Sequence, residues 1–242
     1  MPVEELLTRW QLTLGEEYPP GAAGRAWRAT CGDGTPAVLK LGLPHRESEH
    51  EAAALARWDG DGAVRLLAHE GDWILMERAE PGTPLTSRTT EEAMDVLCGL
   101  LPRLWKPADG FTPLADEVEF WQECGDLDEE TLAIARELAA SQGELVLTSQ
   151  DLHGGNVLAA EREPWLAIDP KPLAAEREFQ AAPIVRAPEF GHSKAQALYR
   201  LDRLAELGLD RERARLWTIV QTVAWSESRT IRSHVDTIEW LT

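Results

Sequence analysis

Three polar side chains in the second half of the chain could together hold a metal ion beside a reacting hydroxyl. Asp151 and Asn156 lie in the stretch Ser149-Gln-Asp-Leu-His-Gly-Gly-Asn156, between two apolar segments, and Asp169 follows a third. Two carboxylates and an amide oxygen are hard ligands that suit magnesium, which keeps waters and phosphate oxygens as its other ligands. Asp151 would accept the proton of an attacking hydroxyl or orient that hydroxyl. Asn156 and Asp169 would hold the magnesium ions that bridge the phosphates of ATP.

Lys40 is the counterpart of this group in the first part of the chain. The chain has 20 arginines but only four lysines, and Lys40 lies inside the apolar run Ala37-Val-Leu-Lys-Leu41. A lysine in such a strand must reach an anion, because an unpaired buried charge is unfavourable. Glu51, on the following predicted helix, could fix it against two ATP phosphates, with Glu47 as the alternative. The apolar run 74–79 indicates a buried strand entering a linker whose backbone groups can pair with adenine.

A strand-rich first part has to position Lys40. Short apolar runs alternate there with turn signals such as Asp33-Gly34, which favours a hairpin. The predicted elements are strands over 27–30, 37–41, 63–69 and 73–78 and a helix over 47–58. Pro81-Gly-Thr-Pro84 should break all regular structure. We therefore expect a nucleotide-binding lobe over 1–80 and a helical lobe with the catalytic loop and substrate site over 81–242.

The second part has mainly helical periodicity. Thr89-Thr-Glu-Glu92 has the spacing of a capping box before an apolar run that ends at Pro102. Further helices are predicted over 127–141, 193–207 and 210–226, the last two closing the chain, and strands over 145–147, 157–160 and 165–168. The short strands should bring Asp151, Asn156 and Asp169 to one end of a small sheet. The predicted fold class is α+β, with a small strand-rich lobe before a larger helical lobe.

Composition limits the class of protein. Hydrophobic residues make up 43% and charged residues 27%, which are globular values. The 24 basic and 42 acidic residues give a net charge of −18. This charge weighs against a nucleic-acid binder and permits a cationic substrate, with acidity for solubility alone as the alternative. Three widely spaced cysteines, no secretory signal and no apolar run near the roughly 20 residues that span a bilayer predict a cytoplasmic protein. The oligomeric state stays open.

Four segments carry a resemblance to a known family. They are Asp33-Gly-Thr-Pro-Ala-Val-Leu-Lys40, Gly62-Ala-Val-Arg-Leu-Leu67, Asp151-Leu-His-Gly-Gly-Asn-Val-Leu158 and Trp165-Leu-Ala-Ile-Asp-Pro170. From about Trp10 to about Trp225 the chain resembles the aminoglycoside phosphotransferase family, which shares its fold with eukaryotic-type protein kinases. Within that family it is most similar to the branch of streptomycin 6-phosphotransferases and hydroxyurea kinases. The resemblance implies a two-lobed kinase-like fold, with ATP and magnesium as cofactors.

The resemblance also implies roles for individual residues. Asp151 is then the catalytic residue, Asn156 and Asp169 bind magnesium, and Lys40 contacts ATP phosphates. The remaining ATP-binding positions are Gly21 and Gly24 in the phosphate-covering loop, Glu51, the gatekeeper Met76, and Glu77 and Ala79, whose backbone carbonyl and amide would bind adenine.

Three positions depart from the pattern of the family. Ser149-Gln150 stands where His-Gly usually precedes the catalytic Asp. Glycine reaches backbone conformations that glutamine reaches only with strain, so the backbone at Gln150 is either ordinary or strained. The loop Gly21-Ala-Ala-Gly-Arg25 lacks the Ser or Thr that often donates to phosphate. Gln180 stands near the place of a structural Asp. None of these changes removes a proposed ligand, although together they are compatible with a slow or degenerate enzyme.

Two further side chains have open roles. His153 could act as a general base, but in the family it is a structural hydrogen-bonding residue, and we favour that role. Lys171 follows Asp169 closely and could meet a phosphate or pair with a surface acid, of which we favour the second.

The segment 107–144 is strongly acidic, with eleven acidic residues and one basic residue, Arg136. In aminoglycoside kinases, acidic loops of the helical lobe hold the cationic substrate. The candidate substrate-binding residues are Asp126, Asp128, Glu129 and Glu130. The alternative is that these acids only stabilise the start of a helix through its dipole.

The predicted function is ATP- and magnesium-dependent phosphorylation of a hydroxyl on a small molecule, most of all a streptomycin-type aminoglycoside. Alternatives are a kinase of another metabolite or natural product, such as hydroxyurea, and a pseudokinase that binds nucleotide without transfer. Fold resemblance alone does not fix the substrate.

Overall fold

The first part of the chain forms a five-stranded antiparallel sheet in this computed structural model, which describes residues 3–19, 24–42, 46, 49–225 and 231–242. The elements are α1 (Val3–Arg9), β1 (Leu12–Glu17), β2 (Gly24–Cys31), β3 (Pro36–Gly42), α2 (Glu51–Trp58), β4 (Leu66–Glu70) and β5 (Trp73–Glu77). The strand order is β1-β2-β3-β5-β4. Lys40 on the central strand β3 therefore lies between Ala26 of β2 and Ile74 of β5.

The second part is mainly helical and contains two small sheets. Its elements are β6 (Pro81–Pro84), α3 (Thr90–Leu104), α4 (Leu114–Cys124), α5 (Glu129–Ala140), β7 (Val146–Ser149), β8 (Val157–Ala160), β9 (Trp165–Ala167), β10 (Pro172–Ala175), α6 (Ala181–Val185), α7 (Lys194–Ala205), α8 (Arg211–Ala224) and α9 (Arg232–Leu241). Strands β6, β8 and β9 form one sheet, and β7 pairs with β10. The predicted α+β class is confirmed, with the strand-rich part first.

Local signals account for several of these boundaries. The Asp33 carboxylate accepts a hydrogen bond from the Thr35 amide at 2.9 Å and closes the β2–β3 turn. At the start of α3, Thr89 and Glu92 form the predicted capping box in both directions. The side chains that cap α5, α7 and α8 each accept from the amide three residues later; they are Asp128, Ser193 and Asp210.

The segment 81–84 is regular, so the prediction that it breaks all regular structure is wrong. It forms β6, in which Pro81 lies opposite Ala160 of β8 and Pro84 lies opposite Leu158. Proline is tolerated in β6 because this strand has one neighbour only and needs no ladder of amide donors on its outer side.

Several other elements were not predicted, namely α1, β1, α4, β10, α6 and α9. Three helices close the chain instead of two, and α3 continues past Pro102 to Leu104. Both α4 and α9 begin without a capping side chain, after Pro113 and Ile231. Their sequences therefore lack the usual start signal of a helix. In the described part of the chain, no helix is both long enough and apolar enough to cross a membrane.

Two apolar clusters of buried residues support the helical part. The larger one joins α2 and β5 to α3 and the β8–β9 hairpin, through residues such as Leu55, Met76 and Leu97. The smaller one packs α4, α5, β10 and one face of α8 together, around Trp121 and Trp217. Helix α8 takes part in both clusters, because Ala214, Ile219 and Val223 belong to the larger one.

Helices α5 and α8 pack antiparallel in the smaller cluster. Near the start of α8, Arg213 Nη2 donates to the carbonyl of Leu138 near the end of α5, at 2.6 Å. Toward the other end, Leu127 and Ala224 both pack on this cluster. The start of α5 and the end of α8 therefore lie at the same end of the molecule.

Candidate active site

A cleft of about 900 Å³ opens between the five-stranded sheet and the β8–β9 hairpin. Val38 and Lys40 both line it, because alternate residues of a strand face the same side. Met76 of β5, opposite Val38, and Ile168 of the hairpin complete an apolar wall. The cleft can thus accept a flat apolar group, with the ammonium group of Lys40 available to an attached anion.

Lys40 joins the sheet, helix α2 and the hairpin at one point. Its Nζ donates to both carboxylate oxygens of Glu51, at 2.8 and 2.6 Å, and also to Asp169. Lys40 and Glu51 are buried, whereas about a third of the Asp169 side chain (32%) is exposed. The predicted pairing with Glu51 is present, and the alternative residue Glu47 lies outside the described residues.

Burial and neighbouring charges act in opposite directions on the pKa values of Glu51 and Lys40. Burial raises the pKa of Glu51 to about 7, against the attraction of Lys40. Burial also acts to lower the pKa of Lys40, but the charges of Glu51 and Asp169 outweigh it and hold the pKa above its usual value. Lys40 therefore keeps its positive charge at neutral pH, as a contact for phosphate requires.

The hairpin brings Asn156 and Asp169 side by side. The Ile168 amide donates to the Asn156 carbonyl at 2.9 Å, and Asp169 follows with a left-handed backbone, φ 49°. The Asn156 side-chain nitrogen donates to the Asp151 carbonyl at 2.8 Å, which leaves its side-chain oxygen for a cation. An amide oxygen and a partly exposed carboxylate are donors that fit magnesium, and these two residues would hold it.

The loop that carries Asp151 is anchored by two buried glutamines. Gln180 accepts from the Ser149 amide and donates to the Ser149 carbonyl, each at 2.7 Å. Gln221 of α8 donates to the Gln150 carbonyl at 3.1 Å. Gln150 itself has no left-handed backbone, so the residue that replaces the usual glycine does not strain the loop. The departure at Ser149-Gln150, which alone favoured a pseudokinase, thus leaves the loop geometry ordinary.

His153 links this loop to the segment after α6. Its Nδ1 lies 3.0 Å from Glu189 Oε1, which also accepts from the Gly154 amide at 3.2 Å. Burial acts to lower the pKa of His153, but Glu189 and the charge of Asp151 raise it more. These contacts are those of the structural hydrogen-bonding role that we favoured for His153.

Lys171 pairs with Asp151, an acid of the candidate site, where a surface acid was the favoured expectation. Its Nζ lies 3.2 Å from Asp151 Oδ2 and 4.7 Å from the centre of the Trp225 ring. The guanidinium of Arg186 lies over the same ring at 4.6 Å. Two cationic side chains thus flank the Trp225 ring, and one of them, Lys171, contacts Asp151.

The predicted adenine-binding linker follows β5 along the edge of the cleft. Met76 is buried, and Glu77 and Ala79 also line the cleft. Burial acts to raise the pKa of Glu77, but its two hydrogen bonds with Arg162, at 2.8 and 2.9 Å, lower it overall. The Glu77 side chain is thus held away by Arg162, and its backbone remains as the group that could meet a base.

The phosphate-covering loop is described only from Gly24 onward, so Gly21 lies outside the described residues. Gly24 lines the cleft, with φ 151°. A Cβ at this position would lie 2.4 Å from the Leu41 carbonyl oxygen. Gly24 therefore allows β2 and β3 to approach closely beside the cleft.

The four acidic candidates lie at and before the start of α5, and all are exposed: Asp126, Asp128, Glu129 and Glu130. Asp128 caps α5, since its carboxylate accepts from the Thr131 amide at 2.9 Å. For Asp128, this contact agrees with the alternative role, in which the acidic residues stabilise the start of a helix. The group stands at the start of α5, which packs with α8, the helix that leads to Trp225, in the smaller cluster.

Three contributors to the site escaped the sequence interpretation: Arg162, Glu189 and Trp225. Each acts on the site from a distant segment, through Glu77, His153 and Lys171 respectively. No motif marks them, although Trp225 stands at helical spacing from Trp217, which is typical of core residues.

Comparisons with known proteins agree with this geometry. A family model described as aminoglycoside/hydroxyurea antibiotic resistance kinase matches residues 9–231. The hydroxyurea phosphotransferase of Kitasatospora aureofaciens is 39% identical over 251 residues, which cover 92% of this chain and 72% of that protein. The streptomycin 6-kinase of Streptomyces glaucescens is 39% identical over 250 residues, which cover 92% and 81%.

Solved structures show the fold. The choline kinase LicA from Streptococcus pneumoniae is similar with a TM-score of 0.70 at 13% identity, over 99% of this chain and 97% of that one. A complex of LicA with AMP gives 0.67 at 12% identity, over 99% and 96%. The architecture is therefore protein-kinase-like, as the resemblance implied. The chain belongs to the aminoglycoside/hydroxyurea antibiotic resistance kinase family and is a phosphotransferase that acts on a hydroxyl group.

Proposed function

We propose that the protein transfers the γ-phosphoryl group of ATP to a hydroxyl of a streptomycin-type aminoglycoside, with magnesium. The acceptor oxygen forms a bond to the γ-phosphorus, and the bond from that phosphorus to the β–γ bridging oxygen breaks. The hydroxyl proton passes to Asp151, and ADP leaves. The protein contributes mainly positioning and charge neutralisation.

The observation that carries the proposal is the contact of Lys40 with both Glu51 and Asp169 at the end of an apolar cleft. It puts a fixed positive charge where the phosphates of a base-bound nucleotide would lie. The AMP complex of the similarly folded LicA supports a nucleotide in such a cleft. Magnesium, when bound by Asn156 and Asp169, would neutralise phosphate charge. We also assign adenine to the backbone of Glu77 and Ala79, beside Met76.

The division into lobes remains a proposal, with 1–80 as the nucleotide-binding lobe and 81–242 as the helical lobe. Two observations support this division. All five strands up to β5 in chain order belong to one sheet, whereas the next strand, β6, pairs with β8 of the second part. A cytoplasmic location also remains a prediction, supported by three free cysteines.

The acidic start of α5 supports a cationic acceptor. Asp126, Glu129 and Glu130 carry exposed charges just before and in the first turn of α5. Streptomycin is a polycation with hydroxyl groups, and such a group of carboxylates attracts it through long-range potential. In this proposal the acidic group attracts the cationic groups of the acceptor, while one of its hydroxyls reaches Asp151.

Hydroxyurea is the second candidate acceptor, because its phosphotransferase is as similar to this chain as the streptomycin 6-kinase. Hydroxyurea is small and uncharged and has no use for the acidic group. The two acceptors therefore predict different salt dependence.

The test is phosphorylation of streptomycin, hydroxyurea and a panel of other aminoglycosides with ATP and magnesium, at several salt concentrations. We expect kcat/KM for streptomycin to fall as salt rises, since the Debye length is about 10 Å at 0.1 M. A charge-reversed variant with Asp126→Lys, Glu129→Lys and Glu130→Lys should have a higher KM for streptomycin and an unchanged KM for ATP. Asp128 is left intact because it caps α5.

The matched control is Glu4→Lys with Glu5→Lys, in the first turn of α1. Helix α1 packs through Leu6 on Leu39, on the face of the sheet opposite to Lys40. Both variants lose favourable charges at a helix start, but only the first should change capture of streptomycin. Phosphorylation of hydroxyurea alone, without salt dependence, would reject the aminoglycoside in favour of the second candidate. A lack of transfer to any of these compounds would reject both.

A further inference from the structure

Each of the two carboxylates of the site, Asp169 and Asp151, is contacted by a different lysine. Lys40 reaches Asp169 from the nucleotide cleft, whereas Lys171, two residues further along, reaches Asp151 Oδ2 at 3.2 Å. If the proposed function holds, a phosphoryl group moves from a nucleotide beside Asp169 to a hydroxyl beside Asp151. Its path then runs between the two ammonium groups.

The main chain of Lys171 is fixed on both sides. Its amide donates to Ser149 Oγ at 3.2 Å, and its carbonyl accepts from the Gln150 amide at 2.8 Å. The neighbouring strands β7 and β10 pair directly beside it, with Ser149 opposite Pro172. The start of the side chain therefore has one defined position relative to Asp151.

The ammonium group of Lys171 is also held, but by contacts that it can exchange. It lies 4.7 Å from the centre of the Trp225 ring, and its side chain is only 18% exposed. The ring keeps a cation near Asp151 without a directional hydrogen bond. A lysine has three donors on a flexible stem, so a small rotation can redirect one of them.

An ion pair with Asp151 alone does not explain why a lysine stands here. Asp151 has to receive the acceptor hydroxyl, and Lys171 occupies one of its two carboxylate oxygens. A phosphoryl group in transfer carries more negative charge than one carboxylate and offers Lys171 another partner. Lys171 could then bind the phosphoryl group at the stage when Asp151 takes up the proton.

We infer that Lys171 is a second phosphate-contacting cation, which binds the transferred phosphoryl group on the acceptor side, opposite Lys40. This inference rests on the proposed function. It assigns Lys171 to the phosphoryl group and not to the nucleotide, so its removal should affect transfer and leave nucleotide affinity unchanged.

The experiment compares the wild-type protein with Lys171→Met and Lys171→Arg, and uses Lys194→Met as the control. Methionine keeps an apolar stem against Trp225, and Lys194 is an exposed lysine at the start of α7. Calorimetry measures the affinity for ADP with magnesium, without and with aluminium fluoride, which mimics the phosphoryl group in transfer. The slow hydrolysis of ATP without any acceptor provides a rate, and thermal unfolding shows whether each variant is folded.

We expect Lys171→Met to bind ADP like the wild type and to lose about 10- to 100-fold in affinity for ADP with aluminium fluoride, as for one charged hydrogen bond. ATP hydrolysis should fall by about 10²- to 10³-fold. Lys171→Arg should keep part of the affinity for ADP with aluminium fluoride and part of the hydrolysis rate. Lys194→Met should keep the wild-type values of both.

A merely structural role predicts another pattern. Lys171→Met would then melt earlier, while the gain in affinity from aluminium fluoride would equal that of the wild type, and this result overturns the inference but not the proposed function. A wild-type protein that gains nothing from aluminium fluoride would count against phosphoryl transfer itself, and against the inference with it.

Discussion

Replacing Glu51 with glutamine should alter the pH dependence of stability in a calculable way. Glu51 is 1% exposed, and burial raises its pKa from 4.5 to about 7. The native protein therefore keeps this proton up to about pH 7, whereas the unfolded chain releases it near pH 4.5. Since the native state binds more protons in this window, its stability falls as pH rises from 4.5 to 7. The fall amounts to about 3 kcal/mol, at about 1.4 kcal/mol per pH unit.

Glutamine has no such proton, so Glu51→Gln should lack this decline. The free energy of unfolding of the variant, relative to the wild type, should rise by up to about 3 kcal/mol between pH 5 and pH 8. Lys40 does not disturb this range, because its pKa is raised and it stays charged. Phosphoryl transfer should fall by about 10²-fold, since Lys40 loses its orientation.

Urea unfolding at pH 5, 6, 7 and 8 measures the effect, with Glu137→Gln on the exposed face of α5 as the control. The control removes one carboxyl without touching Lys40, so its pH profile should run parallel to that of the wild type. A Glu51→Gln profile that also runs parallel would refute the reasoning, because it would mean that Glu51 titrates alike in the native and unfolded chains.

Three further substitutions test the roles assigned around the hairpin. Asp169→Asn or Asn156→Ala should weaken magnesium-dependent ATP binding with little change in fold, and calorimetry that finds ATP affinity unchanged and independent of magnesium would remove the metal assignment. Asp151→Asn should lower turnover by about 10²- to 10⁴-fold with ATP affinity almost unchanged. Near-normal turnover of this variant would instead direct attention to His153.

The sequence predicts the strands that carry chemistry better than the helices that surround them. Strand β3 follows from the apolar run around Lys40 and from the turn at Asp33-Gly34, and its bounds differ by one residue at each end from those predicted. Helix α4 starts after Pro113 without a capping side chain, so no local signal marks it. The two prolines of 81–84 indicate a break when read locally. Only pairing with β8, about 75 residues later, makes this segment a strand.

In the candidate site, too, features that depend on local sequence were predicted, and contacts between distant segments were not. Scarcity of lysine and the apolar run around Lys40 are local properties, and they predicted its pairing with Glu51. The partner of Lys171 depends instead on how the loop around Asp151 and the end of α8 come together. Trp225 is 54 residues away from Lys171 in sequence, and nothing in either segment indicates the contact. Local reasoning therefore favoured a surface acid for Lys171.

The existence of two apolar clusters has a consequence for the evolution of such proteins. The larger cluster supports α2, β5 and the hairpin, and so the residues that would hold nucleotide and metal. The smaller cluster, around Trp121 and Trp217, supports α4, α5 and one face of α8, and so the acidic start of α5. Helix α8 belongs to both clusters, because Ala214, Ile219 and Val223 pack in the larger one and Gln221 anchors the loop that carries Asp151. Changes on α4 and α5 can therefore alter the acceptor side between lineages, whereas changes on α8 also disturb the loop that carries Asp151.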